Sequence, residues 1–343
     1  MILSHLTSAP KGYLIFSVIL TLRVPDAVAA YCHPKFRQSV QIPAGHTHTA
    51  CLDKSPVARS RVPTEAEKKE IVDLHNQLRA RVQPPATNML KLSWDDELAM
   101  LAQKWAEACD KEDGELHHDT YRSIPGRFSV GQNLMMGGKN FKGGINGWYI
   151  EHKDYTYGEK TGPAEFARAL IGHYTQLAWA RTYKIGCGAA DCDGRSFFVC
   201  NYGPAGNIVP FKGPYETGRR CSKCKTCVDD GLCDCKHSEC YGSSTLNTET
   251  CACECKKFDF LEAPDCHVNC TGSGKDARQC GRKKNFVEKK CTEGFVQAAC
   301  PHQCRVCPYS DPSYKDDTAE LTSPSMLMTW VLTTLTVAFL CLL

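Results

Sequence analysis

The chain has 343 residues, with 41 Lys or Arg against 38 Asp or Glu and a net charge of +3, a balance that argues against a nucleic-acid partner. It holds 23 cysteines, 16 of them between residues 221 and 307, whereas residues 52–186 contain only Cys109. That density excludes a reducing compartment and points to an exported chain: one sizeable core followed by small modules that need cross-links to fold.

Lys11 precedes the apolar run YLIFSVILTL, and AVAA (27–30) offers small residues for cleavage, so residues 1–30 read as a signal peptide. Residues 31–63 lack periodicity and read as a loosely structured N-terminal arm in which Cys32 and Cys51 can close a loop. At Thr64 the pattern turns helical. Thr64 and Glu67 have capping-box spacing, and Ile71, Leu74, Leu78 and Val82 follow on one stripe. A second helix is predicted from near Ser93, with Leu98, Leu101, Trp105 and Cys109 on one face, and a shorter one over 147–155. Around His173, the residues Phe166, Leu170, Tyr174 and Leu177 recur at helical spacing and place the histidine on a buried face. Such an imidazole is either a satisfied core side chain or a ligand, and partners elsewhere must decide.

The period then changes from helical to alternating. KIGCGAADC and RSFFVCNYG flank Asp193-Gly194, a strong hairpin signal. Counting outward from that two-residue loop sets Cys187 opposite Cys200 at a non-hydrogen-bonded position, where α-carbons lie about 4.5 Å apart, within disulfide range. Beyond GPYETGRRC cysteine spacing replaces hydrophobic periodicity: 221–255 and 266–307 read as two disulfide-held modules joined by KKFDFLEAPD. The second carries eight Lys or Arg against three Asp or Glu, read as a solvated face. Asn269 begins an Asn-Cys-Thr glycosylation sequon. After a linker over 308–325, residues 326–343 form 18 uncharged, largely apolar residues with no basic flank behind them. They read as a lipid-anchor signal, with Asp317 at the small-residue cut site, or as a single membrane-spanning helix.

GHYTQLAWARTYKIGCG (172–188) and FVCNYGPAGNI (198–208) resemble the two signature motifs of the CAP superfamily, which includes cysteine-rich secretory proteins, venom allergen 5 and plant pathogenesis-related proteins. HDTYR, VGQNL and WYIEHKDY match its other motifs in order, over about residues 64–215. The resemblance implies an α+β fold, a three-layer α-β-α sandwich, followed here by small disulfide-rich modules: a cysteine-rich hinge with a partial EGF-like module (216–255) and a ShK-type-like module (266–307). It also implies a Cys109–Cys192 disulfide. In the family two histidines and two glutamates face a cleft, and by motif the positions here are His118, Gln132, Glu151 and His173. Gln132 departs from the usual glutamate, and His117 adjoins His118.

His118 and His173 are the expected metal ligands, with zinc or another divalent cation favoured by imidazole nitrogen, and Glu151 is left as the cleft's base, ordering a bound water. The function so implied is extracellular binding, of a divalent metal, a lipid or sterol, and extracellular or membrane proteins. Two alternatives are an ion-channel modulator and a metal-dependent hydrolase. No Gly-x-Ser-x-Gly or His-Glu-x-x-His pattern supports hydrolysis. Residues 292–299 contain no lysine, the side chain a channel blocker of this type would place there.

Overall fold

The computed structural model describes residues 32–37, 46–109, 117–158, 171–208, 213–229, 231–236, 238–242, 244–258, 260–271, 276–291, 294–310 and 314. The predicted signal peptide, the tail 326–343, Asp317 and the residues Phe166 and Leu170 lie outside them.

The sheet is built around the hairpin β4 (Lys184–Cys192) and β5 (Arg195–Gly203), antiparallel with Cys192 facing Arg195 and Cys187 facing Cys200. Cys187 and Cys200 are bonded, with α-carbons 4.1 Å apart, and Cys109 is bonded to Cys192. On the far side of β5 lies β3 (Gly131–Met136), and β4 is flanked by β1 (Ala58–Arg61) and, in parallel, by β2 (Ser93–Trp94).

Both sheet faces are covered, so β4 and β5 are buried on both sides instead of alternating between core and solvent as the sequence pattern suggests. Ile185, Cys187, Ala189, Phe198, Cys200 and Tyr202 point to one side, where Ile71 and Leu78 of α2 (Glu65–Ala80), Phe141, Ile145 and Trp148 of α4 (Phe141–Ile150) and Leu177 of α5 (Gly172–Leu177) pack on them. Ala190, Cys192, Phe197 and Val199 point the other way, onto Ala102 and Ala106 of α3 (Asp96–Ala108). The result is the three-layer α-β-α sandwich. Gly186 and Gly188 let α3 lie directly on β4: a Cβ at Gly186 would come within 2.1 Å of the Ala99 backbone nitrogen.

Local signals explain the helix boundaries. Thr64 accepts from Glu67 N–H while the Glu67 carboxylate accepts from Thr64 N–H, closing the capping box. The second helix starts at Asp96 rather than Ser93, because Ser93–Trp94 is taken by strand pairing with β4 and Asp95 accepts from Leu98 N–H as N-cap. The predicted piece over 147–155 begins earlier, at Phe141. Asn140 caps it, and it runs into a 3₁₀ turn over Glu151–Lys153.

Residues 31–63 are not a loose arm where they are described. The short helix α1 (Pro34–Arg37) and the 3₁₀ turn Thr49–Cys51 bury Phe36, His48 and Thr49, and β1 joins the sheet antiparallel to β4. The absence of periodicity suggests a loose arm, but order comes from long-range pairing with β4, alongside the expected Cys32–Cys51 bond.

In the C-terminal half, the two-stranded ribbons β6–β7 (Cys227–Val228, Leu232–Cys233), β8–β9 (Thr245–Leu246, Cys253–Glu254) and β10–β11 (Leu261–Glu262, His267–Val268) precede α6 (Gly294–Ala299). Disulfides replace a large core here. Cys255–Cys266 spans the joint between the two modules, so the second module closes on itself with the remaining six cysteines: Cys270–Cys307, Cys280–Cys300 and Cys291–Cys304. Its boundary therefore falls at Cys270 rather than Cys266. Peptide mapping without reduction should recover a Cys255–Cys266 peptide, and a Cys266 bonded anywhere within 270–307 would contradict this division.

The modules dock on the sandwich at several points, including backbone bonds of Cys233 to Met89 and Lys91. Arg127 pairs with Asp95, Glu97 and Glu239, Cys240 N–H donates to the Tyr183 hydroxyl (3.0 Å), and Ser310 Oγ donates to Pro125 O (3.0 Å).

Candidate functional site

Helix α5 opens without a local cap, since Ile171 has no side chain that can accept. Glu151, in the turn after α4, supplies one from a distance. Its Oε2 accepts from the backbone N–H groups of His173 (3.0 Å) and Tyr174 (2.9 Å), and its Oε1 accepts from His173 Nδ1–H (2.6 Å). The buried Trp148 lies against the His173 ring, with centroids 6.2 Å apart and planes 23° apart, and is pinned by its own Nε1–H bond to Leu134 O (3.0 Å). Asn133 Nδ2 donates to His173 O (3.0 Å).

Gln132, on β3, holds the second imidazole. Its Oε1 accepts from Asp119 N–H (3.0 Å) and from His118 Nδ1–H (3.0 Å). A backbone N–H can only donate, so the amide orientation is fixed. The chain continues from Gln132 Nε2 to Asn201 Oδ1 (3.1 Å), its register partner on β5, and from Asn201 Nδ2 to Leu98 O (3.3 Å). Each link leaves the next no choice of polarity.

Both histidines thus donate from Nδ1, so in the neutral ring the lone pair is on Nε2, the orientation that a hydrogen-bonding outer partner imposes on a metal-binding imidazole. Neither Nε2 has a partner among the described residues. Burial is the main force holding the His118 pKa below the usual histidine value; Arg122 pushes the same way, and the Gln132 bond opposes them. His118 is therefore neutral at pH 7, although part of the residue faces solvent. Adjacent residues of β3 hold the two histidines: Gln132 bonds the His118 ring and Asn133 bonds the His173 carbonyl.

Two expectations need correction. His173 is half-exposed rather than on the buried face of α5; Tyr174, Thr175, Gln176 and Leu177 take that face, because Glu151 and Trp148 draw the imidazole outward. Glu151 is not a free base: both of its oxygens are occupied by α5, which leaves it a positioning residue. His117 is exposed and receives Trp105 Nε1–H at its carbonyl (3.1 Å). Among the described residues no group of three or more His, Cys, Asp or Glu is placed to hold a metal ion. Asn269 Oδ1 accepts from Thr271 N–H and Oγ1–H (2.8 Å each), and its amide donates to Glu262.

Residues 72–202 match the family model of the cysteine-rich secretory protein (CAP) family. Human cysteine-rich secretory protein 3 is 35% identical over 231 residues, covering 64% of this chain and 89% of its own length. This chain belongs to the cysteine-rich secretory protein family. A cysteine-rich venom protein of Conus textile is 34% identical over 287 residues, covering 76% of this chain and 87% of that one. Among solved structures, NaASP2 with Zn²⁺ is 29% identical and covers 51% of this chain and 98% of its own, at a TM-score of 0.44. The disulfides of this chain and its secretory and venom-protein relatives make it an extracellular, venom-allergen-like CAP protein. No helix among the described residues is long and apolar enough to cross a membrane.

One residue outside the sequence motifs supports the site from behind. Arg79, fully buried on α2, donates to Leu90 O through Nε and Nη2, to Leu177 O (2.7 Å) and Trp179 O (2.9 Å) through Nη1, and to Thr182 O (2.9 Å). It ties the C-terminal end of α5 to α2. A legible signal existed: Arg79 follows Ile71, His75 and Leu78 on the apolar stripe of α2.

Proposed function

We propose that this CAP protein is an extracellular binding module whose cleft takes a divalent cation, zinc before others, on the Nε2 atoms of His118 and His173. The observation that carries the reading is the pair of Nδ1–H donors fixed by Gln132 and Glu151, which leaves two imidazole lone pairs at one cleft. Two neutral nitrogens fit a borderline metal such as zinc, with water completing the coordination. Both Glu151 oxygens are engaged by α5, which makes it a poor base for that water and favours binding over hydrolysis. A lipid or sterol ligand and extracellular or membrane-protein partners belong to the same reading. The groove between α2 and α4, about 660 Å³, offers an apolar ligand Ala66 and Leu74 amid Glu67, Lys69, Glu70, Asp73 and Lys142.

Calorimetric zinc titration tests the metal reading. His118→Ala and His173→Ala should each weaken zinc binding by tenfold or more, as losing one of two protein ligands requires. Gln132→Glu should tighten it by making His118 more basic. Binding should also fall as pH drops, because only neutral imidazole ligates. Unchanged affinity in both alanine variants would sink the proposal, and proteolysis abolished by Glu151→Gln would favour the hydrolase.

A further inference from the structure

The charge of this protein is unevenly distributed. Residues 266–307 hold eight Lys or Arg against three Asp or Glu, so in a chain of net +3 the remainder is net acidic. Within that module the basic residues concentrate in one segment, RQCGRKKNFVEKK (278–290).

The structure turns the segment into a rigid, outward-facing surface. Cys280 and Cys291 anchor its two ends to Cys300 and Cys304. Between them, Gly281 N–H donates to Phe286 O (2.8 Å), and Arg282 and Lys283 both donate through their backbone N–H to Gln279 O (3.1 and 3.0 Å). Two 3₁₀ turns follow, over Lys284–Phe286 and Glu288–Lys290. Phe286 is the inward plug: it packs into the module's core and edge-on to Phe295, and Gln303 Nε2 donates to its carbonyl (3.0 Å).

With Phe286 inward, the charges are left outward. Arg278, Arg282, Lys283, Lys284 and Lys289 are exposed, and no carboxylate pairs with any of them among the described residues. The acid that precedes the segment does not neutralise them. Asp276 turns its carboxylate inward to accept from His302 N–H (2.8 Å) and Gln303 N–H (2.9 Å), which leaves Glu288 as the exposed acid of the segment. Unpaired cations on a cross-linked loop lose little conformational freedom when a multiply charged anion binds, so the surface is preorganised for one.

We propose that the 278–290 surface is a docking site for a sulfated polysaccharide of the glycosaminoglycan type. The compartment fixed by the disulfides supplies such polyanions, and a dense Lys/Arg run is the pattern that engages them through many parallel charge contacts. An anionic membrane fits less well. Phe295 is the sole large apolar side chain of this module exposed among the described residues, at 37%, and it is partly covered by Lys256 and Phe286, leaving little to insert between lipids.

The test is retention of the mature full chain on immobilised heparin, with EDTA present so that the His118–His173 cleft plays no part. The wild type should be retained at 0.15 M NaCl and should not be retained on desulfated heparin. The triple variant Arg282→Ala/Lys283→Ala/Lys284→Ala should bind about a hundredfold more weakly at that salt, with a salt slope shallower by about 2–3. A control removing equal charge from the sandwich, Arg59→Ala/Lys153→Ala/Arg181→Ala, should bind as the wild type does. Equal losses in both variants, no loss in either, or capture by phosphatidylserine vesicles without heparin retention would each overturn the proposal.

Discussion

Replacing Arg79 with methionine should lower the unfolding free energy by roughly 3–5 kcal/mol and sharply reduce the yield of exported protein. The guanidinium is fully buried and has no carboxylate partner; five N–H···O bonds to the carbonyls of Leu90, Leu177, Trp179 and Thr182 compensate its charge. Burial pulls its pKa down to about 9, with Tyr202 opposing, so it stays charged at neutral pH. Methionine fills similar volume but leaves the buried carbonyls of Leu90, Leu177 and Thr182 without donors, and leaves Trp179 O only the Thr182 N–H (3.1 Å). Arg79→Lys should recover only part of the loss, because one ammonium cannot reach both sides of the cage. Thermal unfolding of the oxidised protein measures this, and a change within 1 kcal/mol would refute the assigned role.

Acid should destabilise the fold well above the carboxylate range. His75 is fully buried, donating from Nδ1 to Ile71 O (2.7 Å) and accepting at Nε2 from the Tyr202 hydroxyl (2.9 Å). His48 is buried in the N-terminal segment and bonded to Ser123 O (2.9 Å). Burial lowers both pKa values to about 4, against hydrogen bonds to Ile71 and Ser123 that work to raise them. A histidine depressed in the native state gives up no stability above about pH 6.5. Below that value the unfolded chain takes up the proton and the folded one does not, so stability falls by about 1.4 kcal/mol per pH unit per histidine until about pH 4. The loss is about 3 kcal/mol for each. His75→Gln should roughly halve the dependence on pH between 6.5 and 4. Stability that stays flat over that window would contradict the burial of both rings.

What the sequence disclosed follows the range of the forces involved. The β4–β5 hairpin was legible because Asp193-Gly194 fixes its register locally, and that register alone set Cys187 beside Cys200. The start of α2 was legible for the same reason, its cap being contained in Thr64–Glu67. The segment 31–63 was not, because β1 is held by residues more than 120 positions away on β4. Nor was the start of α3, which yields Ser93–Trp94 to a parallel pairing with Lys184–Ile185. At the cleft, motif likeness gave the identities of His118, Gln132, Glu151 and His173 but not their duties. That Glu151 caps α5, and that Gln132 relays a fixed polarity from Leu98 through Asn201, depends on contacts between elements that periodicity does not encode.

The most direct test of the metal cleft is to observe the imidazole nitrogens by ¹⁵N NMR while zinc is added at neutral pH. Before zinc, both His118 and His173 should show a protonated Nδ1 and an unprotonated Nε2. On addition, the Nε2 resonances of these two residues should shift together while their Nδ1–H protons persist, held by Gln132 and Glu151. Zinc that displaces either Nδ1 proton, or that shifts other histidines and leaves these two unchanged, would contradict the assignment.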